Sequence, residues 1–186
     1  FGFDPFQDIQ VLTPMHRGVT GSINLNRSLQ SVLNPVGTGF EHREQWFKTG
    51  DKLMQQQNDY DKQVFNGDTG RIVFCDPKSR EIHVSFDQGI VRYTAKEIDQ
   101  LALAYAISVH KSQGSEYPAL ILPLTTHHYM MLQRNLLYTA LTRGKQLVIL
   151  IGMEKAVAMA VKNEEARTRH TSLPRHFREM KELMAL

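Results

Sequence analysis

"AYAISVHKSQGSEYPALIL", residues 104–122, places a run of seven polar or glycine residues, His110 to Glu116, between two apolar stretches. The apolar flanks read as segments buried in a sheet. A plain connection between two such segments needs little more than small turn-forming residues. Here Lys111, Gln113 and Glu116 stand together with two serines and a histidine. So many donors and acceptors in one short turn exceed what the turn itself can satisfy. The bland alternative is a polar loop with a helix cap at Ser108.

Working outward, "YPALILPL" (117–124) reads as a buried strand. "YMMLQRNLLYTALTRGK" (129–145) has helical spacing, with Leu132, Leu136 and Ala140 on one stripe and Leu137 and Leu141 beside it. Gly144 is the expected C-cap of that helix. "QLVILIG" (146–152) predicts a further buried strand and "EKAVAMAVKN" (154–163) a further helix. Upstream, "DIQVLTP" (8–14) predicts a strand ended by Pro14. "GSINLNRSLQSVLN" (21–34) predicts a helix capped by Ser22, carrying Ile23, Leu25, Leu29, Val32 and Leu33 near helical spacing and ended by Asn34-Pro35.

Between these parts the pattern changes. From Gly37 to about Gln100 the runs "DKLMQQQ", "GRIVFC", "EIHVSF" and "IVRYTA" are separated by the turns "NGDTG", "DPKSR" and "DQG". Short alternating strands with tight turns predict a small antiparallel barrel. The expected architecture is an α/β sheet domain made of residues 1–35 and 101–186, interrupted by a barrel and its connection over 36–100. The stretch from Glu164 onward is charged and helix-prone, and is broken by Pro174.

Composition bounds the chemistry. The 186 residues are 41% hydrophobic and 22% charged, the pattern of an ordinary globular protein. No apolar run reaches the roughly 18 residues needed to span a bilayer, so no membrane role is expected. The opening residues lack a signal-peptide pattern, and the chain starts "FGFDPFQD" without an initiator Met, which reads as a piece of a longer protein. Cys75 is the only cysteine, which excludes an internal disulfide or a cysteine-based zinc cluster and fits a reducing, cytoplasmic setting. The net charge of +3 permits an anionic partner without demanding one.

Several catalytic classes are missing their signatures. A P-loop requires G-x-x-x-x-G-K-[ST], but Gly144-Lys145 is followed by Gln146 and Thr139 stands where the first glycine belongs. There is no G-x-S-x-G elbow and no carboxylate pair of glycosidase type. His127-His128 has no carboxylate pattern beside it and reads as a surface pair.

Three polar clusters remain. "TPMHRGVTG" (13–21) sets Arg17 between a strand and a helix N-terminus, a reasonable anion site or equally a solvated loop arginine. "SVHKSQGSE" (108–116) is the opening turn. "YTALTRGK" (138–145) puts Arg143 and Lys145 at a helix end, where the helix dipole alone favours cations. Two clusters follow strands, and ligands of open α/β sheets bind at the carboxyl ends of strands.

"VLTPMHRGVTG", "GDKLMQQQNDYDKQVFNGDTG", "LAYAISVHKSQGSEYPALIL" and "LLYTALTRGKQLVILIG" resemble, in that order, the C-terminal half of RecD-like helicases of superfamily 1. The resemblance runs from about Gln10 to Phe177. It implies a second RecA-like motor domain, a parallel sheet flanked by helices, carrying an SH3-like barrel. The P-loop and the acidic pair that holds Mg2+ would then lie in an N-terminal motor domain, with ATP in the cleft between the two.

By this resemblance Arg143 reaches the γ-phosphate and stabilises charge on the transferring phosphoryl group. Arg17 faces phosphate or DNA. Gln113, Gly114 and Glu116 face the nucleotide, with Gly114 allowing close backbone approach and Glu116 able to accept a ribose hydroxyl. Ser108, His110 and Lys111 lie against single-stranded DNA, the partner the family translocates on in the 5′-to-3′ direction. The family's SH3-like insertion helps hold that strand. In this chain the insertion's Lys, Arg, Asp and Glu nearly balance, so a protein-contact role for it stands equally open. Its aromatics Phe65, Phe74, Phe86 and Tyr93 read as core by alternation, and Tyr60 in the "NDYDK" turn reads as exposed and able to stack on a base. Two rivals stand beside the helicase: a non-catalytic DNA- or protein-binding module, and the helicase half of a conjugative relaxase.

Overall fold

The computed structural model describes residues 1–163, so the charged stretch from Glu164 lies outside the described residues. In chain order the elements are β1 (Ile9–Thr13), α1 (Ser22–Leu33), β2 (Gly39–His42), β3 (Gln45–Lys48), β4 (Lys52–Gln55), β5 (Thr69–Asp76), β6 (Glu81–Phe86), β7 (Gly89–Tyr93), β8 (Leu101–Leu103), β9 (Ala106–Ser108), β10 (Tyr117–Leu124), α2 (Arg134–Leu141), β11 (Gly144–Gly152) and α3 (Glu154–Lys162). Short 3-10 turns occupy Ile98–Gln100, Val109–Ser112 and Thr126–Met131.

Four strands form a parallel sheet in the order β11-β10-β1-β9. The inner strands β1 and β10 are covered on both faces, which is why their sequences are apolar runs rather than alternating ones. Leu12, Leu120, Leu122 and Leu124 pack with Leu132, Leu137 and Ala140, and with Ala156 and Ala160 of α3. The small alanines let the two helices approach the sheet closely.

The inserted part is antiparallel. A five-stranded sheet in the order β7-β6-β5-β4-β8 and the hairpin β2–β3 share a second core of Phe40, Phe47, Leu53, Ile72, Ile82, Val84, Phe86 and Tyr93. The fold is therefore α/β, a parallel sheet flanked by helices and interrupted by an antiparallel insertion, the arrangement that the resemblance implies.

Several local expectations are corrected. Leu101–Leu103 pairs antiparallel with β4, so the hydrogen bonding of the inserted sheet runs past residue 100. The β2–β3 hairpin had no legible signal, because Arg43 and Glu44 both adopt positive φ in its tight turn without the usual glycine or asparagine. The helix expected over 129–145 is split: Leu132 and Gln133 interrupt it, and α2 ends at a Thr142 C-cap. Gly144 instead opens β11, where a Cβ would fall 2.4 Å from Val148 Cγ2. Phe74 is exposed because a register shift between Ile72 and Phe74 breaks the alternation, and its ring lies 4.9 Å from that of His83. Phe65 is also exposed, and so are Ile149, Leu150 and Ile151, because β11 is an edge strand of the parallel sheet rather than the buried strand expected over 146–152.

Helix α1 departs furthest from its pattern. Ser22 is its first residue rather than its cap, which is Gly21, and the helix buries Ser22, Asn26 and Gln30 while Ile23 and Val32 face solvent. The reason is its position between the two sheets. Leu29 and Leu33 reach the barrel core, and the polar face meets backbone groups of Ala106 and Trp46. Asn26 Nδ2 donates to Ala106 O (2.7 Å) and its Oδ1 accepts from Ala106 N (2.9 Å), closing the free edge of β9.

The same logic converges on Asp51, fully buried where the insertion meets the parallel sheet. Its carboxylate accepts from Gln30 Nε2 (2.6 Å), Asn34 Nδ2 (2.7 Å), Lys48 N (2.7 Å) and Tyr105 Oη (2.9 Å). Burial pushes its pKa above the usual carboxylate value, and the donors pull it partly back. Two more side chains cross the seam. Lys52 Nζ donates to Ile9 O (3.1 Å), with its pKa lowered to about 8 by burial, while Gln10 Nε2 donates to Ala104 O (3.0 Å) and Tyr105 O (3.1 Å). Asp51→Ala strands several buried donors at once, and we expect a loss of about 2–4 kcal/mol in urea denaturation. An unchanged midpoint would mean that the seam is held by its apolar contacts alone.

Candidate nucleotide- and DNA-facing site

The turn after β9 is anchored by its apolar and hydroxyl residues, leaving its charged ones outside. Ser108 Oγ accepts from Lys111 N (3.3 Å) as an N-cap. Val109 and Ser112 are buried, and Ser112 Oγ donates to Val109 O (2.7 Å). His110, Lys111, Gln113, Gly114 and Glu116 face outward. Gly114 holds φ +88°, which only glycine adopts readily, and the space where a Cβ would sit is empty.

The C-terminal half of this turn meets the α2–β11 junction. Tyr117 N donates to Arg143 O (2.8 Å), and Arg143 Nη1 donates to Ser115 O (3.2 Å). The other contacts of the Arg143 guanidinium are Thr139 O and Thr142 Oγ1, each at 3.2 Å. All of these acceptors are neutral. The nearby carboxylate of Glu116 pairs with Lys145 instead (3.1 Å), in an exposed and therefore weak bridge. Among the described residues no carboxylate pairs with Arg143, whose guanidinium is oriented by neutral oxygens alone. Such an arginine is suited to a phosphate.

The N-terminal half turns the other way. Lys111 Nζ donates to Gln56 Oε1 of the insertion, and burial lowers the Lys111 pKa. Lys111 and Ser108 line a groove of about 710 Å³ between α1 and the insertion, with His16, Arg27, Arg43 and Trp46 on its walls. His110 and Gln113 line a second cavity with Thr139, of about 150 Å³. Tyr60 is exposed, edge-on to Phe65 with ring centroids 5.9 Å apart, and is not among the groove-lining residues.

Arg17 is exposed on the loop between β1 and α1. That loop is tied down on itself: Thr13 Oγ1 donates to Thr20 O (2.6 Å), and Ser22 N to Met15 O (3.0 Å). It is also tied to His128, which is buried, contrary to the surface pair expected of His127-His128. Thr125 N donates to His128 Nδ1 (3.4 Å), so the ring proton sits on Nε2 and is given to Thr20 Oγ1 (2.6 Å). His128, Gln56 and Trp46 are residues around the site whose part sequence reasoning missed, because each meets it only through contacts distant in sequence.

Two family models match the chain: an ATP-dependent RecD-like DNA helicase SH3 domain over residues 25–86, and a UvrD-like helicase C-terminal domain over residues 103–151. Among solved structures, Bacteroides Pif1 bound to single-stranded DNA superposes with a TM-score of 0.57 at 16% identity, covering 97% of this chain and 47% of that one. A structure of two coordinating Pif1 helicases at forked double-stranded DNA gives a TM-score of 0.59 at 17% identity, covering 97% and 45%. The fold is that of a helicase motor domain with an SH3-like insertion. The ATP-dependent RecD2 DNA helicase of Deinococcus radiodurans is 36% identical over 91% of this chain and 23% of its own length. The RecBCD enzyme subunit RecD of Mycobacterium tuberculosis is 33% identical over 82% of this chain and 26% of its own length. The chain belongs to the RecD-like helicase family, and it spans about a quarter of the length of the curated relatives it matches.

The His128 contact gives a pH signature. Burial, with a smaller contribution from the charge of His127, holds its folded pKa below the ordinary 6.5. A depressed folded pKa contributes stability above the unfolded value that is lost as pH falls through the folded one. We expect the urea midpoint to fall as the pH is lowered from about 6.5, and to fall less steeply in His128→Leu. Parallel pH profiles in the two proteins would remove His128 as the cause.

Proposed function

We propose that this chain is the second motor domain, with its inserted barrel, of an ATP-dependent DNA helicase that translocates on single-stranded DNA. In this reading residues 1–35 and 101–186 form the motor domain and residues 36–100 the insertion. An N-terminal motor domain of the same polypeptide supplies the P-loop and the Mg2+ ligands. The observation that carries the reading is the turn 108–116, whose Ser115 holds Arg143 while its Lys111 lines the groove.

Arg143 brings positive charge to the γ-phosphate of ATP bound across the two motor domains. Arg17 adds a second cation toward phosphate. Gln113 and Gly114 face the nucleotide, and Glu116 can exchange Lys145 for a ribose hydroxyl because their bridge is exposed. Ser108, His110 and Lys111 face the DNA strand, and Tyr60 offers an exposed ring to it from the insertion. Ser108 uses its hydroxyl to cap the turn, so its part is to hold Lys111 in place. Among the described residues no helix is long and apolar enough to cross a membrane. The buried free thiol of Cys75 is compatible with a reducing cytoplasm.

In the protein carrying both motor domains, Arg143→Ala is expected to lower DNA-stimulated ATP hydrolysis by about three powers of ten or more, with ATP binding retained. The 186-residue chain alone is expected to hydrolyse no ATP. Unchanged hydrolysis in Arg143→Ala would reduce Arg143 to a helix-end cation and move the binding-module reading to first place. Turnover by the isolated chain would contradict the two-domain reading outright.

A further inference from the structure

Trp46 is the only tryptophan in the chain, and it is half exposed on the β2–β3 hairpin. Alternation on β3 explains the geometry: Phe47 enters the barrel core at 2% exposure, so Trp46 points the other way at 49%. That other way is the groove that Lys111 and Ser108 also line. The ring is carried on rigid backbone. Trp46 O accepts from the buried Gln30 Nε2 (2.9 Å), and Lys48 N, two residues on, donates to Asp51 (2.7 Å).

The charges around the groove favour an anion that also has flat apolar faces. Arg27, Arg43 and Lys111 line it against Glu44 and Asp99. Asp99 is already taken by Arg43 (2.7 Å) and His42 (2.7 Å), whereas Lys111 leans only on a neutral amide and Arg27 has no ion pair among the described residues. The volume of about 710 Å³ lies within the range of about 300–1,000 Å³ that holds a compact organic ligand. A duplex keeps its base faces stacked inside. A single strand can offer a base face to an indole while its phosphates meet the cations.

We propose that Trp46 is a stacking platform for a base of single-stranded DNA, with the phosphates on either side of that base held by Arg27 and Lys111. This rests on the helicase reading above, to which it adds Trp46 as a second aromatic contact from the insertion, in the groove that Lys111 lines.

The test uses the 186-residue chain and a fluorescently labelled oligothymidylate at low salt. Anisotropy of the labelled oligonucleotide reports binding, and the intrinsic emission of the sole tryptophan, followed with unlabelled oligonucleotide, reports the groove. The expected result is quenching of Trp46 emission along the same binding curve as the anisotropy rise. Trp46→Ala should weaken binding by about tenfold or more, and Trp46→Phe should retain most of it. Binding by anisotropy with unmoved Trp46 emission and unchanged affinity in Trp46→Ala would overturn the platform and leave the helicase reading standing. Absence of any anisotropy rise would overturn both.

Discussion

The architecture depends on a buried carboxylate. Asp51 is the point where the inserted barrel, helix α1, the β2–β3 hairpin and the strand connector at Tyr105 share one acceptor. Burying a carboxylate is unfavourable unless donors surround it, and here amide, hydroxyl and backbone groups do so with no cation among them. The balance explains why the Asp51 pKa ends above its ordinary value although every donor lowers it. A polar seam of this kind fixes geometry more strictly than apolar packing, because a small slip leaves buried donors unmatched. The orientation of the insertion relative to the parallel sheet is therefore specified rather than loosely set.

That orientation makes the groove. Its walls belong to α1, to the hairpin, to β8 and to the turn after β9, and these segments are neighbours only because the seam holds them. The turn 108–116 then spans the distance between the groove and the α2–β11 junction, with Val109 and Ser112 buried as its anchors. Lys111 is set at one end and the backbone carbonyl that orients Arg143 at the other. A rigid short turn with a different ligand class at each end is a physical route by which strand contact and nucleotide contact can bias one another.

Much of this was legible in the residues. The apolar runs at 8–14 and 117–124 became inner parallel strands, and the alternating runs from 51 to 95 became the antiparallel insertion, because side-chain period follows directly from which faces are covered; the run 146–152 also became a parallel strand, but an exposed one at the sheet edge. The illegible parts share a cause. Helix α1 was read by its leucines and valines, yet its buried face is Ser22, Asn26 and Gln30, chosen to satisfy backbone groups at the edge of β9 and at the hairpin. Gly144 looked like a helix stop, but close contact with Val148 across the start of β11 requires it. His128 looked like half of a surface pair, and only the fold brings Thr20 to its ring. Local pattern reports burial of apolar groups well. It is silent about polar groups whose partners lie far away in sequence.

The central claim is that residues 108–116 serve the DNA strand at one end and the nucleotide at the other. Amide hydrogen exchange across this segment, in the protein carrying both motor domains, tests it most directly. Oligothymidylate should slow exchange at 109–112, a non-hydrolysable ATP analogue should slow it at 113–116, and each ligand should increase the protection given by the other. Exchange across 108–116 that neither ligand changes, under conditions where both are bound, would contradict the account.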